Sequence, residues 1–236
     1  RIPAALNGIV GFKNTASRVP TTGAVPLSTT LDTVCALTRS VRDGILAHEI
    51  LAGRTVTRSP APLTAYRLAV ARTVMLDVLE PAVARAFERS LATLRAAGAQ
   101  IDEIGLNETA ELAGIQATGG FSAAESYAWH RELLARRAND YDPRVATRIR
   151  RGATMMAHEY IDLLQARQRW IRSMEQALHG YDAVLSPTVP ILAPLLADVA
   201  PATGTDLDAE AARDEAFFRA NALLLRNTSV VNMLDG

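Results

Sequence analysis

The feature that most limits what this chain can fold into is a strand–helix–strand order between residues 66 and 104. The apolar run YRLAVARTVM predicts a buried strand. PAVARAFERSLATLRAAG predicts a helix that has Pro81 in its first turn and ends at Gly98, and AQIDEI predicts a second strand. A helix that connects two neighbouring strands usually joins parallel strands, so this order favours an α/β sheet with a crossover helix.

Helices are predicted on both sides of this unit. SVRDGILAHEILAG has a capping box at Ser40 and Asp43 and a terminating glycine at Gly53. Residues 106–180 are mostly helical in pattern, DLDAEAARDEAFFRANALLLRN predicts a final helix, and a new loop is expected to begin at NMLDG. YDAVLSPTVPILAP predicts a short strand and a proline-punctuated loop, whereas residues 1–39 predict loops and short strands. The expected fold is α/β, with a mixed β-sheet core flanked by helices.

The composition of the chain excludes several classes of function. Its 25 Lys and Arg residues balance 25 Asp and Glu residues, so no basic field exists to attract the phosphates of a nucleic acid. Cys35 is the single cysteine, which rules out an intrachain disulfide and a zinc site built on cysteines. No segment is long and apolar enough to cross a bilayer. We therefore expect a cytoplasmic protein with no nucleic-acid or membrane partner.

The histidines do not predict a metal site. His48–Glu49 and His158–Glu159 each lack the second histidine that an H-E-x-x-H zinc motif requires, so exposed helix pairs are favoured. His130 and His179 are isolated in the sequence, and structural or solvent roles are favoured for both. We expect no metal in this chain.

Two other features leave alternatives open. Glu125, in AAESYAWH, could be a pocket carboxylate, although a position on the surface of a helix is favoured. The arginines of PRVATRIRRGA could form an anion-binding patch, although a solvated helix face is the usual meaning of such a run. Neither feature identifies an activity.

The first 43 residues carry the pattern that does point to an activity. In chain order it consists of Arg1, Ile2, Pro3, Ala4, Gly8, Gly11, Lys13, Thr15, Arg18, Val19, Pro20, Gly23, Pro26, Leu27, Ser28, Leu31, Asp32, Arg39, Ser40, Val41 and Asp43. This pattern resembles the amidase signature family. The resemblance continues more weakly to NTSVVNMLDG and so covers residues 1–236, as a single partial amidase domain. Residues 1–43 would end the signature region, and residues 44–236 would supply helices and strands that line the substrate pocket.

The sequence departs from the family pattern at four turn positions. Asn14 and Ala16 stand where the family commonly has Pro and Gly, and Cys35 and Ala36 stand where it commonly has Gly and Pro. Loss of proline loosens a turn, and loss of glycine restricts a turn that needs a positive φ. Variation within a subfamily is the favoured explanation, and relaxed constraint in a decaying gene copy is the alternative.

The resemblance implies hydrolysis of the carboxamide C–N bond of a small amide, without a cofactor. The family uses a serine nucleophile, a second serine in a cis peptide and a lysine. Arg1 matches the Arg of the family's G-G-S-x-R segment, so the nucleophile would lie two residues before Arg1, and the other two catalytic residues further upstream. No catalytic residue is therefore assigned within this chain. Lys13 matches a different lysine of the family, for which a structural role is expected.

The resemblance also implies supporting and binding roles for residues within the chain. Five residues are expected to support the nucleophile loop: Arg1, Pro3, Lys13, Asp32 and Arg39. Tyr127, Thr188 and Pro190 are expected to line the pocket for a small amide substrate. A homodimer is one candidate assembly. The alternatives are a glutamine-dependent tRNA amidotransferase subunit, which works with a partner subunit, and a non-catalytic truncated remnant.

Overall fold

The computed structural model describes residues 1–201 and 207–235, and the elements below belong to those residues. The helices are α1 (Ile2–Asn7), α2 (Val41–Ala52), α3 (Pro81–Ala96), α4 (Leu112–Ile115), α5 (Gly120–Arg137), α6 (Pro143–Arg150), α7 (Ala157–Ala177), α8 (Leu196–Val199) and α9 (Leu207–Leu234). The strands are β1 (Val10–Gly11), β2 (Leu37–Thr38), β3 (Arg67–Ala71), β4 (Gln100–Ile104) and β5 (Ala183–Leu185). Short 3₁₀ turns connect several of them, including Arg151–Thr154 after α6.

A parallel sheet with the order β4–β3–β5 confirms the α/β prediction. The central strand β3 is buried from Leu68 to Ala71, as expected for a strand with neighbours on both edges and layers on both faces. Helix α3 crosses from β3 to β4; it begins at Pro81, and Gly98 beyond its end has a φ of +93°. Antiparallel pairing occurs in a separate two-stranded sheet of β1 and β2.

The main hydrophobic core packs α5, α7 and α9 against the end of β3. Its largest buried side chains are Phe121, Trp170, Met174 and Met233. The indole N–H of Trp170 donates to the carbonyl of Glu108 at 2.7 Å, so the one polar atom of this side chain is satisfied. None of the described helices is long and apolar enough to cross a membrane.

The structure differs from the sequence prediction at both ends of the chain. Residues 2–7 form a helix, with proline in its first turn and Gly8 in a left-handed cap, where loops and short strands are predicted. Helix α9 continues to Leu234, through the residues where a new loop is predicted to begin. The buried amide of Asn227 donates to the carbonyls of Met75 at 2.9 Å and Pro187 at 2.7 Å, so tertiary contacts hold this part of the helix. Two residues of the predicted segments lie outside the described residues: Asp206, which begins the predicted final helix, and Gly236, which ends the predicted loop NMLDG.

The cap of α2 gives a first testable prediction. The Ser40 hydroxyl accepts from the backbone N–H of Asp43 at 3.1 Å, as the capping box predicts. The Asp43 carboxylate accepts from the Ser40 hydroxyl at 2.8 Å rather than from the Ser40 backbone N–H that a full capping box would use. Replacing Ser40 with alanine is expected to lower the free energy of unfolding by about 1 kcal/mol, because the first turn loses its side-chain acceptor. Urea-induced unfolding measures this loss.

The control for the cap is Ser90→Ala. Ser90 lies within α3, and among the described residues its hydroxyl donates to the carbonyl of Ala86 in the preceding turn and makes no other hydrogen bond. Since alanine has the highest helix propensity, this variant should be neutral or slightly more stable. Equal losses in the two variants would contradict the capping role of Ser40.

Candidate functional site

A cleft of about 500 Å³ lies between four parts of the fold. Residues 25–31, which we call the wall segment, form one side, and α5, α6 with its following turn, and α9 form the others. Each wall contributes lining residues, for example Leu27 from the wall segment, Ser126 from α5, Arg148 from α6 and Met233 from α9. The volume is in the usual range for a site that binds a small molecule.

Behind the wall segment, Glu125 of α5 receives four hydrogen bonds. Its carboxylate accepts from the Ser28 hydroxyl at 2.5 Å, from the Tyr160 hydroxyl at 2.6 Å and from the backbone N–H of Thr30 at 3.1 Å. The hydroxyl of Thr30 also donates to it. We call these four residues the Glu125 cluster. The surface position favoured for Glu125 from the sequence is wrong, because its carboxylate joins the wall segment to α5 and α7.

The pKa of the Glu125 carboxyl reflects two opposing effects. Burial, the largest single influence, raises this pKa, but the hydrogen bonds from Ser28, Thr30 and Tyr160 together outweigh burial and hold it below its ordinary value. Burial, followed by the hydrogen bond to Glu125, raises the pKa of the Tyr160 hydroxyl. The cluster therefore contains a carboxylate and a neutral phenol at neutral pH.

Asp32, the residue directly after the wall segment, holds that segment in place. Its carboxylate accepts from the backbone N–H groups of Leu27 at 2.9 Å and Ser28 at 3.0 Å. The N–H of Asp32 in turn donates to the carbonyl of Ser28 at 2.8 Å. These bonds close a tight turn that points the buried Ser28 hydroxyl at Glu125, while Leu27 and Leu31 face the cleft.

The start of the chain is attached to α9. A guanidinium N–H of Arg1 donates to the carbonyl of Thr228 at 3.0 Å. Burial lowers the pKa of Arg1, and the nearby Cys35 acts in the opposite direction. Pro3 lies exposed in the first turn of α1. Because Ser229, the residue after Thr228, lines the cleft, Arg1 is bonded directly behind a wall of the cleft.

Lys13 and the residues after it are attached to the end of α9. The buried ammonium of Lys13 donates to the carbonyl of Asn14 at 2.9 Å and lies 3.3 Å from the carboxylate of Asp235. The same carboxylate accepts from the N–H of Ala16 at 2.8 Å, and the amide of Asn14 donates to the carbonyl of Val34 at 2.8 Å. Proline has no side-chain donor, so Asn14 makes a contact that the usual family residue could not make.

The other predicted site residues do not line the cleft. Tyr127 packs against a small cluster on α5 and α6, Thr188 is exposed, and Pro190 is buried with its carbonyl accepting from the N–H of Glu80 at 2.9 Å. Arg39 is exposed, and among the described residues its side chain makes no hydrogen bond or ion pair. Substrate contact by the first three and loop support by Arg39 stay predictions.

In both His–Glu pairs the carboxylate of the glutamate accepts a hydrogen bond from a backbone N–H group. Glu49 accepts from the N–H of Val56 at 2.7 Å, and Glu159 accepts from the N–H of Met156 at 2.7 Å, at the start of α7. Within residues 1–201 and 207–235, no group of three or more His, Cys, Asp or Glu side chains is placed to hold a metal ion.

The sequence does not show which residues form hydrogen bonds with Glu125. It also does not show which arginines of PRVATRIRRGA face the cleft. Ser28 and Tyr160 are separated from Glu125 by 97 and 35 residues, and no local pattern connects such positions. The basic character of PRVATRIRRGA is evident from the sequence, but helical geometry alone does not indicate that Arg148 and Arg151 line a cavity.

Comparison with known proteins gives consistent results for sequence and structure. The family model described as Amidase matches residues 1–225. The 2-amino-5-chloromuconic acid deaminase of Comamonas testosteroni is 33% identical over 238 residues, covering 99% of this chain and 48% of that protein. A glutamyl-tRNA(Gln) amidotransferase subunit of Roseiflexus castenholzii is 28% identical over 228 residues, covering 82% of this chain and 46% of that protein.

A solved structure described as an amidase superposes on the whole chain. Its TM-score is 0.79 at 29% sequence identity, and the match covers 100% of this chain and 51% of that structure. The chain spans about half the length of the curated relatives it matches.

Proposed function

The chain belongs to the amidase family, and from this membership we propose that the protein containing it hydrolyses the carboxamide C–N bond of a small amide. The observation that carries the proposal is the family match over residues 1–225, together with 33% identity over 99% of the chain. The amidotransferase relative shares 28% identity over 82% of the chain, so a partner-dependent reaction is the weaker candidate. Residues 1–236 would form part of one amidase domain.

The proposed chemistry is acyl transfer to a serine. An amide is a poor electrophile, so the serine must be activated by a base and the tetrahedral oxyanion must be stabilised by N–H donors. In the chemistry that the resemblance implies, a neutral lysine takes the proton of the nucleophile through a second serine in a cis peptide. That proton then passes to the leaving amine, and water hydrolyses the acyl-enzyme. In this proposal the three residues precede Arg1.

The contacts of Arg1 support this placement. Arg1 is bonded to Thr228, whose neighbour Ser229 lines the cleft. Two residues of extended chain span at most about 7 Å, so a serine two positions before Arg1 would come close to a substrate in the cleft. Arg1, Pro3, Lys13 and Asp32 would then fix the surrounding backbone.

The test compares the protein produced from its native gene with the 236-residue chain alone. The first should release ammonia from phenylacetamide and nitroaniline from 4-nitroacetanilide. The second should release neither above background, because the proposed nucleophile, base and oxyanion donors are not in its sequence. Far-UV circular dichroism records whether the shorter chain is folded in the assay.

Two results would contradict the proposal in different ways. Failure of the native-gene protein to hydrolyse any small amide would reject the proposed activity. Steady turnover by the pure 236-residue chain would reject the placement of the triad and would direct attention to Lys13 and Ser28, with Ser28→Ala as the next variant to assay.

A further inference from the structure

The wall segment presents apolar side chains to the cleft. Val25 and Leu27 are 69% and 60% exposed, and both line the cleft together with Pro26. Leu31 also lines it, but this side chain packs against the main hydrophobic core at the other end of the segment. One end of the wall segment is therefore fixed by packing, and the other end offers apolar surface that a ligand can cover.

Three hydrogen bonds attach the wall segment to α5, and all three use the carboxylate of Glu125. The Ser28 hydroxyl donates to it at 2.5 Å, the backbone N–H of Thr30 donates at 3.1 Å, and the Thr30 hydroxyl donates as well. The bonds to Asp32 come from the N–H groups of Leu27 and Ser28, so they shape the turn without attaching it to a helix. The position of Leu27 relative to α5 therefore depends on the bonds to Glu125.

Glu125 is held from behind and does not face the cleft. The Tyr160 hydroxyl of α7 donates to its carboxylate at 2.6 Å. Ser122 and Ser126, on the same helix, line the cleft, but Glu125 is not among the lining residues. A side chain in this position can affect a bound ligand only through the residues that it holds in place.

We propose that Glu125 is a positioning residue of the cleft, which places Leu27 against the apolar acyl group of a bound amide. It does so through the bonds that it accepts from Ser28 and Thr30. A primary amide releases ammonia, so its carbon atoms all belong to the acyl part, and that part alone can pack against an apolar wall. This inference rests on the proposed function, because it states how that reaction selects its acyl group.

The test compares phenylacetamide with acetamide, which has no ring to pack against the wall segment. The measured quantity is the ratio of kcat/KM for the two amides, in the native-gene protein and in its variants. A smaller fraction of folded protein lowers both rates equally, so a merely structural role leaves this ratio unchanged. Leu27→Ala should lower the ratio about tenfold, the lower end of the range for a lost apolar contact in a pocket. Ser28→Ala should lower it about fivefold, the effect of one lost hydrogen bond, through a higher KM for phenylacetamide.

A double variant tests whether Glu125 acts through Leu27. If it does, the two changes are not independent, and Ser28→Ala in the Leu27→Ala background should change the ratio by less than about twofold. Glu125→Gln should lower the ratio less than Glu125→Ala, because its carbonyl oxygen still accepts. The control is Glu132→Ala, an exposed position on the same helix, which should preserve the ratio.

Amide hydrogen exchange follows the wall segment independently of catalysis. Exchange of residues 25–31, measured relative to β3, should be faster in Ser28→Ala and Glu125→Gln, because the segment loses bonds to α5. Leu27→Ala should leave it unchanged, since this variant removes only an exposed side chain. Unchanged exchange in Ser28→Ala and Glu125→Gln would overturn the placement of the wall segment by Glu125.

The remaining outcomes separate this inference from the proposed function. Hydrolysis of both amides with a ratio that Leu27→Ala or Ser28→Ala does not change would overturn the positioning role and leave the amidase activity standing. Independent effects in the double variant would overturn the action through Leu27. If neither amide is hydrolysed, the proposed activity is rejected, and calorimetric dissociation constants replace kcat/KM in the ratio. A binding ratio that depends on Leu27 and Ser28 would then support the positioning role, and a ratio that does not would overturn it.

Discussion

Replacing Gly152 with alanine is expected to lower the free energy of unfolding by about 3–5 kcal/mol. A Cβ at this position would lie 2.1 Å from the carbonyl oxygen of Ala123, 2.6 Å from its carbonyl carbon and 2.8 Å from the Cβ of Tyr127. Two of these atoms belong to the backbone of α5, so no side-chain rotation can relieve the overlap. The turn after α6 would have to move away from α5, which would break the packing between them.

The comparison for this prediction is Gly114→Ala in α4. An added Cβ at Gly114 meets nothing within 4 Å, so this variant should be neutral or more stable by up to about 1 kcal/mol. Urea-induced unfolding of both variants gives the two differences. A loss below about 1 kcal/mol for Gly152→Ala would contradict this prediction, because it would show that the turn after α6 can move away from α5 at little cost.

Replacing Glu125 with alanine is expected to lower the free energy of unfolding by about 3 kcal/mol. Four donors would lose their acceptor: the buried Ser28 hydroxyl, the Thr30 hydroxyl, the Thr30 backbone N–H and the Tyr160 hydroxyl. Leaving a buried donor without an acceptor costs more free energy than the hydrogen bond contributed to stability. Glu125→Gln should cost about half as much, since its remaining carbonyl oxygen still accepts.

The control for Glu125 is Glu132→Ala, on the same helix. Glu132 is exposed, so its loss should change the free energy of unfolding by less than about 0.5 kcal/mol. Similar effects in the two variants would contradict the assignment of Glu125 as the residue that joins the wall segment to α5 and α7. A smaller effect of Glu125→Ala than of Glu125→Gln would contradict it as well.

The stabilisation by Glu125 is expected to depend on pH in the acid range. The folded-state pKa of this carboxyl lies below its ordinary value, so the unfolded chain binds its proton more readily than the folded protein does. The stability contribution is therefore complete above the unfolded pKa of about 4.3 and is lost as the pH falls through the folded pKa. The difference in stability between the unmodified protein and Glu125→Gln should be constant near neutral pH and should shrink below about pH 4. A difference that grows on acidification would reverse the sign and contradict the proposed hydrogen bonding.

Local signals in the sequence were sufficient for much of the fold. The helix beginning at Pro81, the cap at Ser40 and the buried strand at Leu68 depend on residues within a few positions of one another, and all three are found in the structure. The resemblance of residues 1–43 also depends on short-range order, and the family match confirms it. Helix α1 is not predicted, because proline and glycine are usual loop signals. In the structure Pro3 lies in the first turn of this helix and Gly8 caps its end.

The sequence by itself determined the order of β3, α3 and β4, the cap at Ser40 and the family, because periodicity and turn chemistry act between near neighbours. Only the tertiary structure decided which side chains meet. The contact of Glu125 with Ser28 crosses 97 residues, and the place of Arg148 on the wall of a cleft depends on how α6 packs against α5 at Gly152. The length of α9 also depends on the contacts that Asn227 makes with two distant carbonyls. These features follow from the distances and angles between packed elements, and a local pattern of residues does not contain that information.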